Sequence, residues 1–195
     1  ALMNAEPSSK GVEEVLVAAS TIPADNPGFE SYAFHRARLL AAQGKESDAK
    51  AIIATFLDGD AKNTTASSQN LWRALRMPLA QDANSFLADL LRIPAGSYGL
   101  YYDEKGKVPS LNTVYSGIQA SHPEIRQMLK GVQAPPRFIE GDGARVLNLQ
   151  TPSEVLLDLT RKPELPSHLR REWTRAVWVR AVLLERWDVA ANATP

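Results

Sequence analysis

The chain has 195 residues, 44% hydrophobic and 23% charged, ordinary values for a globular protein and enough to bury one sizeable core or two small ones. Twenty-two Lys and Arg balance twenty-two Asp and Glu, so there is no cation excess of the kind a nucleic-acid or anionic-membrane surface requires. The absence of cysteine excludes disulfide frameworks, thiol catalysis and cysteine-ligated zinc, and no apolar run approaches the ~20 residues of a membrane span.

A cysteine-free chain suits the cytoplasm, the periplasm or a secreted setting alike. The charge is segregated: residues 1–60 carry five basic and nine acidic side chains, residues 161–195 seven and four. The opposed ends favour head-to-tail contact only weakly, because exposed pairs contribute little. The chain begins Ala1-Leu2-Met3, which fits a processed protein or, better, a piece of a longer one.

Val12, Val15, Leu16 and Ala19 recur at three and four residues, which predicts an amphipathic helix over 11–22 ended by Pro23. Asn26-Pro27 opens a second helix to about Gln43, with Phe29, Tyr32, Ala33, Ala37, Leu39 and Leu40 on one arc. Gly44 suits a left-handed helix end, and a third helix follows over 46–57 with Ala49, Ile52, Ile53 and Phe56 inward. The short turn makes the second and third helices an antiparallel hairpin. Helices are expected again over 69–77, broken before Pro78, and over 82–93, closed by Pro94. Tyr98-Gly99-Leu100-Tyr101-Tyr102 and the polar run after it suggest a small hairpin or an anchored loop over 94–113. Pro123 starts a further helix; Pro135-Pro136 and Gly141-Asp142-Gly143 mark 133–150 as a loop. A short helix over 151–161 and a final one from Ser167 to about Ala191 complete the chain. That final helix is apolar on two sides, with Leu169, Trp173, Ala176, Val177, Leu183, Leu184 and Trp187 on one and Trp178, Val182 and Val189 on the other.

One phrase occurs twice. Arg36-Ala37-Arg38-Leu39-Leu40 and Arg180-Ala181-Val182-Leu183-Leu184 share Arg-Ala-x-Leu-Leu, and Arg73-Ala74-Leu75-Arg76-Met77 is a looser copy. Small Ala lets two helices approach, and the large residues beyond it fill the neighbouring groove. The Arg does not fit that account. Arg36 falls between Tyr32 and Phe29/Leu40 on the wheel, and Arg180 between Leu169/Trp187 and Trp173. Each must reach an edge or find acceptors, since an unpaired buried charge is costly.

Around the Gly44 turn, Ala37, Leu40, Ala49 and Ile53 occupy the small and large positions of a helical hairpin, and residues 27–57 thereby resemble a tetratricopeptide repeat. Ala33 and Arg36 stand where that family has an early Trp and Leu, and Ala61 where it has Pro; no second full repeat follows. The resemblance implies an all-α fold of antiparallel helical hairpins, either a right-handed solenoid or a compact α–α superhelix interrupted by an irregular middle. The expected organisation is hairpins over 1–93, a loop-rich segment over 94–150 and closing helices over 151–195. The implied function is a non-catalytic scaffold that presents a groove to a protein, a peptide or another domain of its own chain.

Candidate groove residues are Arg36, Trp72, Arg73, Tyr101, Tyr102, Trp178 and Arg180, with the arginines gripping acidic or C-terminal carboxylate groups. Neither cofactor nor metal is implied. His35, His122 and His168 are scattered, and Asp58-Gly59-Asp60 begins like a calcium loop but continues with Lys62, Asn63 and Gln69 at ligand and turn positions. The opposed expectation is a helical-toroid enzyme acting on carbohydrate or cell-wall polymer, using Glu140 and Asp142 beside Tyr101, Tyr102 and Trp72; a third is a structural accessory domain of a larger protein.

Overall fold

The computed structural model describes residues 2–59, 65–93, 123–128, 130 and 137–193. They are mostly helical, as the periodicity predicts, and divide into two compact units, 1–81 and 82–195.

The first unit contains α1 (Val12–Ser20), α2 (Phe29–Ala42), α3 (Glu46–Leu57) and α4 (Ala66–Arg76), with 3-10 turns at Leu2–Asn4 and Met77–Leu79. Asn26 does not cap α2 at Pro27: its Oδ1 accepts from the Gly28 amide at 2.8 Å, and this local turn delays the helix to Phe29. At the other end Gly44 adopts φ +77°. The Lys45 amide reaches the Leu40 carbonyl at 2.9 Å and the Gly44 amide the Ala41 carbonyl at 3.0 Å, which satisfies the last carbonyls of α2. Among the described residues, two apolar clusters pack the unit. One gathers Leu2, Val12, Leu16, Leu39, Leu40 and Ala49; the other gathers Ala33, Ala37, Ile53 and Trp72. α4 begins three residues before the sequence expectation, because the Thr65 hydroxyl caps it by accepting from the Ser68 amide at 3.1 Å.

The second unit contains α5 (Ala83–Leu90), β1 (Leu91–Arg92), α6 (Pro123–Met128), β2 (Phe138–Ile139), α7 (Gly141–Leu149), α8 (Ser153–Thr160), α9 (Ser167–Leu183) and α10 (Trp187–Asn192). Asp82 starts α5 with a capping box, accepting from the Asn84 and Ser85 amides at 2.8 and 2.9 Å. Those bonds, chiefly the one from the Ser85 amide, hold its carboxyl below the usual Asp range.

Three sequence expectations change here. β1 and β2 pair antiparallel, with Leu91 opposite Ile139 and Arg92 opposite Phe138, so residues 91–92 leave the helix expected to reach Ile93. The Gly141-Asp142-Gly143 run is the first turn of α7, not a loop. Gly143 is there for space: a Cβ on it would stand 2.5 Å from Leu90 Cδ1 and 3.3 Å from Ile139 Cγ2. Finally, the long closing helix is two helices, broken where Glu185 takes a left-handed φ of 55°. The Arg186 amide bonds to the Ala181 carbonyl at 2.8 Å and the Glu185 amide to the Val182 carbonyl at 3.1 Å, the same closure that ends α2. The aromatic hairpin or loop expected over 94–113 lies outside the described residues, as do His122 and most of the Asp58–Asn63 loop.

Candidate functional site

Trp72 is a core residue of the first unit, 1% exposed. Its ring stacks on Phe56 with centroids 4.3 Å apart and meets Phe34 edge-on at 5.2 Å. Its indole N–H donates to Glu30 Oε1 at 3.0 Å. An indole so enclosed and satisfied leaves no face for a ligand. Arg73 is half-buried on α4. Tyr101 and Tyr102 lie outside the described residues.

The three copies of the repeated phrase diverge. Ala37 and Ala181 are both 0% exposed, as helix crossing requires. Arg36 is half-buried, and among the described residues it makes no hydrogen bond or ion pair. One turn away Tyr32 is 41% exposed, so the arc assigned to the core opens to solvent on that side, where a long Arg stem can carry its charge outward. Arg180 does have a partner. Its Nη1 donates to the Leu147 carbonyl at 2.9 Å, one of the orphan carbonyls ending α7. A cation there also meets the negative end of the helix dipole.

Glu140 and Asp142 come together, though around a cation. Arg92 is 2% exposed. Its Nη1 donates to Asp142 Oδ1 at 3.0 Å and to Glu140 Oε2 at 3.5 Å; Nη2 stands 2.8 Å from Asp142 Oδ2; Nε donates to the Asp89 carbonyl at 2.7 Å. The fork on Asp142 is bidentate, the geometry for which Arg is suited. Glu140 precedes α7 and Asp142 lies in its first turn, so both carboxylates also sit at the positive end of that helix. The bonds that brace this cluster were not legible in the sequence: Arg137 donates to the Leu91 carbonyl at 3.2 Å, and the buried His168 donates through Nε2 to the Arg137 carbonyl at 3.0 Å. Its Nδ1 is buried and without a hydrogen-bond partner. The arrangement ties the ends of β1, β2 and the start of α9 to each other. Among the described residues no group of His, Asp and Glu comes together to hold a metal ion, and no helix is long and apolar enough to cross a membrane.

The second unit also has an open groove of about 660 Å³ on the outer face of α9. Glu172, Arg175, Ala176, Val179, Arg180, Leu183 and Leu184 line it, with Asn148 of α7. The seven α9-side residues form two rows at intervals of four, 172-176-180-184 and 175-179-183. These are the ridges that helices interdigitate when they pack. Val179, Leu183 and Leu184 are 43%, 77% and 57% exposed. Among the described residues Arg175 has no bonding partner, and Glu172 meets only its neighbour Arg171, at 3.4 Å. Trp178, 40% exposed, does not line this groove.

Compared with known protein families, with curated proteins and with solved structures, the chain matches none.

Proposed function

We propose that this chain is a non-catalytic protein-binding module, built of helical hairpins of the tetratricopeptide kind, whose binding surface is the outer face of α9. One observation carries the reading: Val179, Leu183 and Leu184 stand in water, in register, on a helix whose opposite rows are core. Exposed large apolar side chains are ordinary when scattered and informative when contiguous. Here they are contiguous, flanked by Arg175 and Arg180, and shaped as ridges that accept another helix or a peptide. The carboxylates that a hydrolytic activity would draw on, Glu140 and Asp142, are engaged by Arg92, which supports a fold-closing role for them.

The test places a photo-crosslinking amino acid at Val179 of the full chain and, as control, at Lys50 on α3. Adducts formed at 179 and not at 50, in cells or with concentrated pure protein, are expected. A chain that crosslinks at neither position, or equally at both, overturns the reading.

A further inference from the structure

One stripe along the outer face of α9, bordering the groove, has a symmetry that names its occupant. Taking Ala176 as the centre, Glu172 lies four residues before it and Arg180 four after; Leu169 lies seven before and Leu183 seven after. At 100° per residue these five side chains fall within about 80° of arc, a single stripe roughly 21 Å long. Read backwards, the stripe exchanges acid for base and leucine for leucine.

We propose that the groove is occupied by α9 of a second copy of this chain, packed antiparallel about a two-fold axis at Ala176. The inference rests on the reading of this face as a binding surface. The two-fold places Glu172 of each protomer against Arg180 of the other, giving two ion pairs from one surface. It also places each Leu183 against Leu169, which is half-buried and lies on the same stripe of α9. A self-complementary patch of this kind is what an isologous dimer requires. Ala176, exposed and small, is at the crossing point, where two helices need a short side chain to approach. Arg180 has donors to spare, because its bond to Leu147 uses Nη1 and a guanidinium carries five N–H groups. Glu172 gives up only an exposed contact with Arg171, whose side chain is 83% exposed. A partner of uniform charge would leave one of the two opposed charges unmet or repelled; a second copy meets both. The stripe is short beside the ~800 Å² per partner of a strong interface, so the dimer is weak and concentration-dependent.

Sedimentation equilibrium of the full chain from micromolar to millimolar concentration tests this. The native chain is expected to shift from monomer to dimer. Glu172→Arg sets like charges against Arg180 twice over and is expected to weaken association by about tenfold or more. Arg180→Glu alone does the same with acids. An equimolar mixture of the two variants restores both pairs, so the mixture should associate more tightly than either alone; a merely structural role for Glu172 or Arg180 does not produce that rescue. A native chain monomeric at every concentration, or a Glu172→Arg chain that associates like the native one, overturns the proposal. If the native chain stays monomeric while position 179 still crosslinks to a different protein, self-pairing fails and the binding reading stands. If neither occurs, both fail.

Discussion

The same five-residue phrase ends in opposite surroundings in the two units. Leu39 and Leu40 of the first copy are 0% and 6% exposed; Leu183 and Leu184 of the second are 77% and 57% exposed. The difference is register against the helix end. After the first phrase α2 runs two residues further, to Ala42, and its leucines join the cluster with Leu2, Val12, Leu16 and Ala49. The second phrase is interrupted by the end of α9 at Leu183, and the left-handed Glu185 turns the chain away into α10. Identical side chains therefore have a packing role in one place and stand free in the other. Local sequence specifies the helix and its small crossing residue; where the helix stops decides what the large residues touch.

That contrast has measurable consequences. The largest is in the leucines. Leu39→Ala should cost about 2–5 kcal/mol in denaturant unfolding, whereas Leu183→Ala should change it by less than about 0.5 kcal/mol. Equal losses would break the comparison. Next are the arginines. Arg180→Met removes a charge-assisted bond to an orphan carbonyl and a favourable dipole contact, about 1–2 kcal/mol, while Arg36→Met should be near neutral. The helix ends come third and have opposite signs. Gly44→Ala forces a Cβ into left-handed backbone with nothing within 4 Å to clash, so its cost of about 1 kcal/mol is purely conformational; Glu185→Gly should gain a similar amount. Thermal unfolding of the pair checks both signs.

The smallest effect is of pH. His35, just before the first phrase, has its pKa held below 6.5, first by burial and then by the charge of Arg38. The folded chain thus takes up this proton less readily than the unfolded one. Its contribution to stability is full above pH 6.5 and is lost as the pH falls from there toward the depressed folded value. Chemical denaturation on either side of that pH should show the loss, and His35→Gln should flatten it. An unchanged slope in the variant refutes the assignment.

Much of the helical pattern was legible in the sequence. α1, α2, α3 and α5 are read from spacing, Pro and Gly, and the Gly44 turn from its residue type. What was missed depends on long-range partners. Gly141 and Gly143 look like loop residues, and only the proximity of Leu90 and Ile139 shows that Gly143 serves packing. The helix end at Glu185 has no Gly to announce it. Trp72 reads as a groove residue until Phe34, Phe56 and Glu30 are found around it. Arg92 carried no signal at all: its acids lie nearly fifty residues away in sequence, joined to it by a two-residue strand pair.

That strand pair also bears on the entropy of the chain. β1 and β2 bring the two ends of segment 93–137 to one point, and the Arg92 fork on Asp142 fastens it. The cost in chain entropy of closing so long a loop grows only slowly with its length. The Arg92 fork thus acts for this loop as a cross-link does, holding together two points that chain entropy would keep apart.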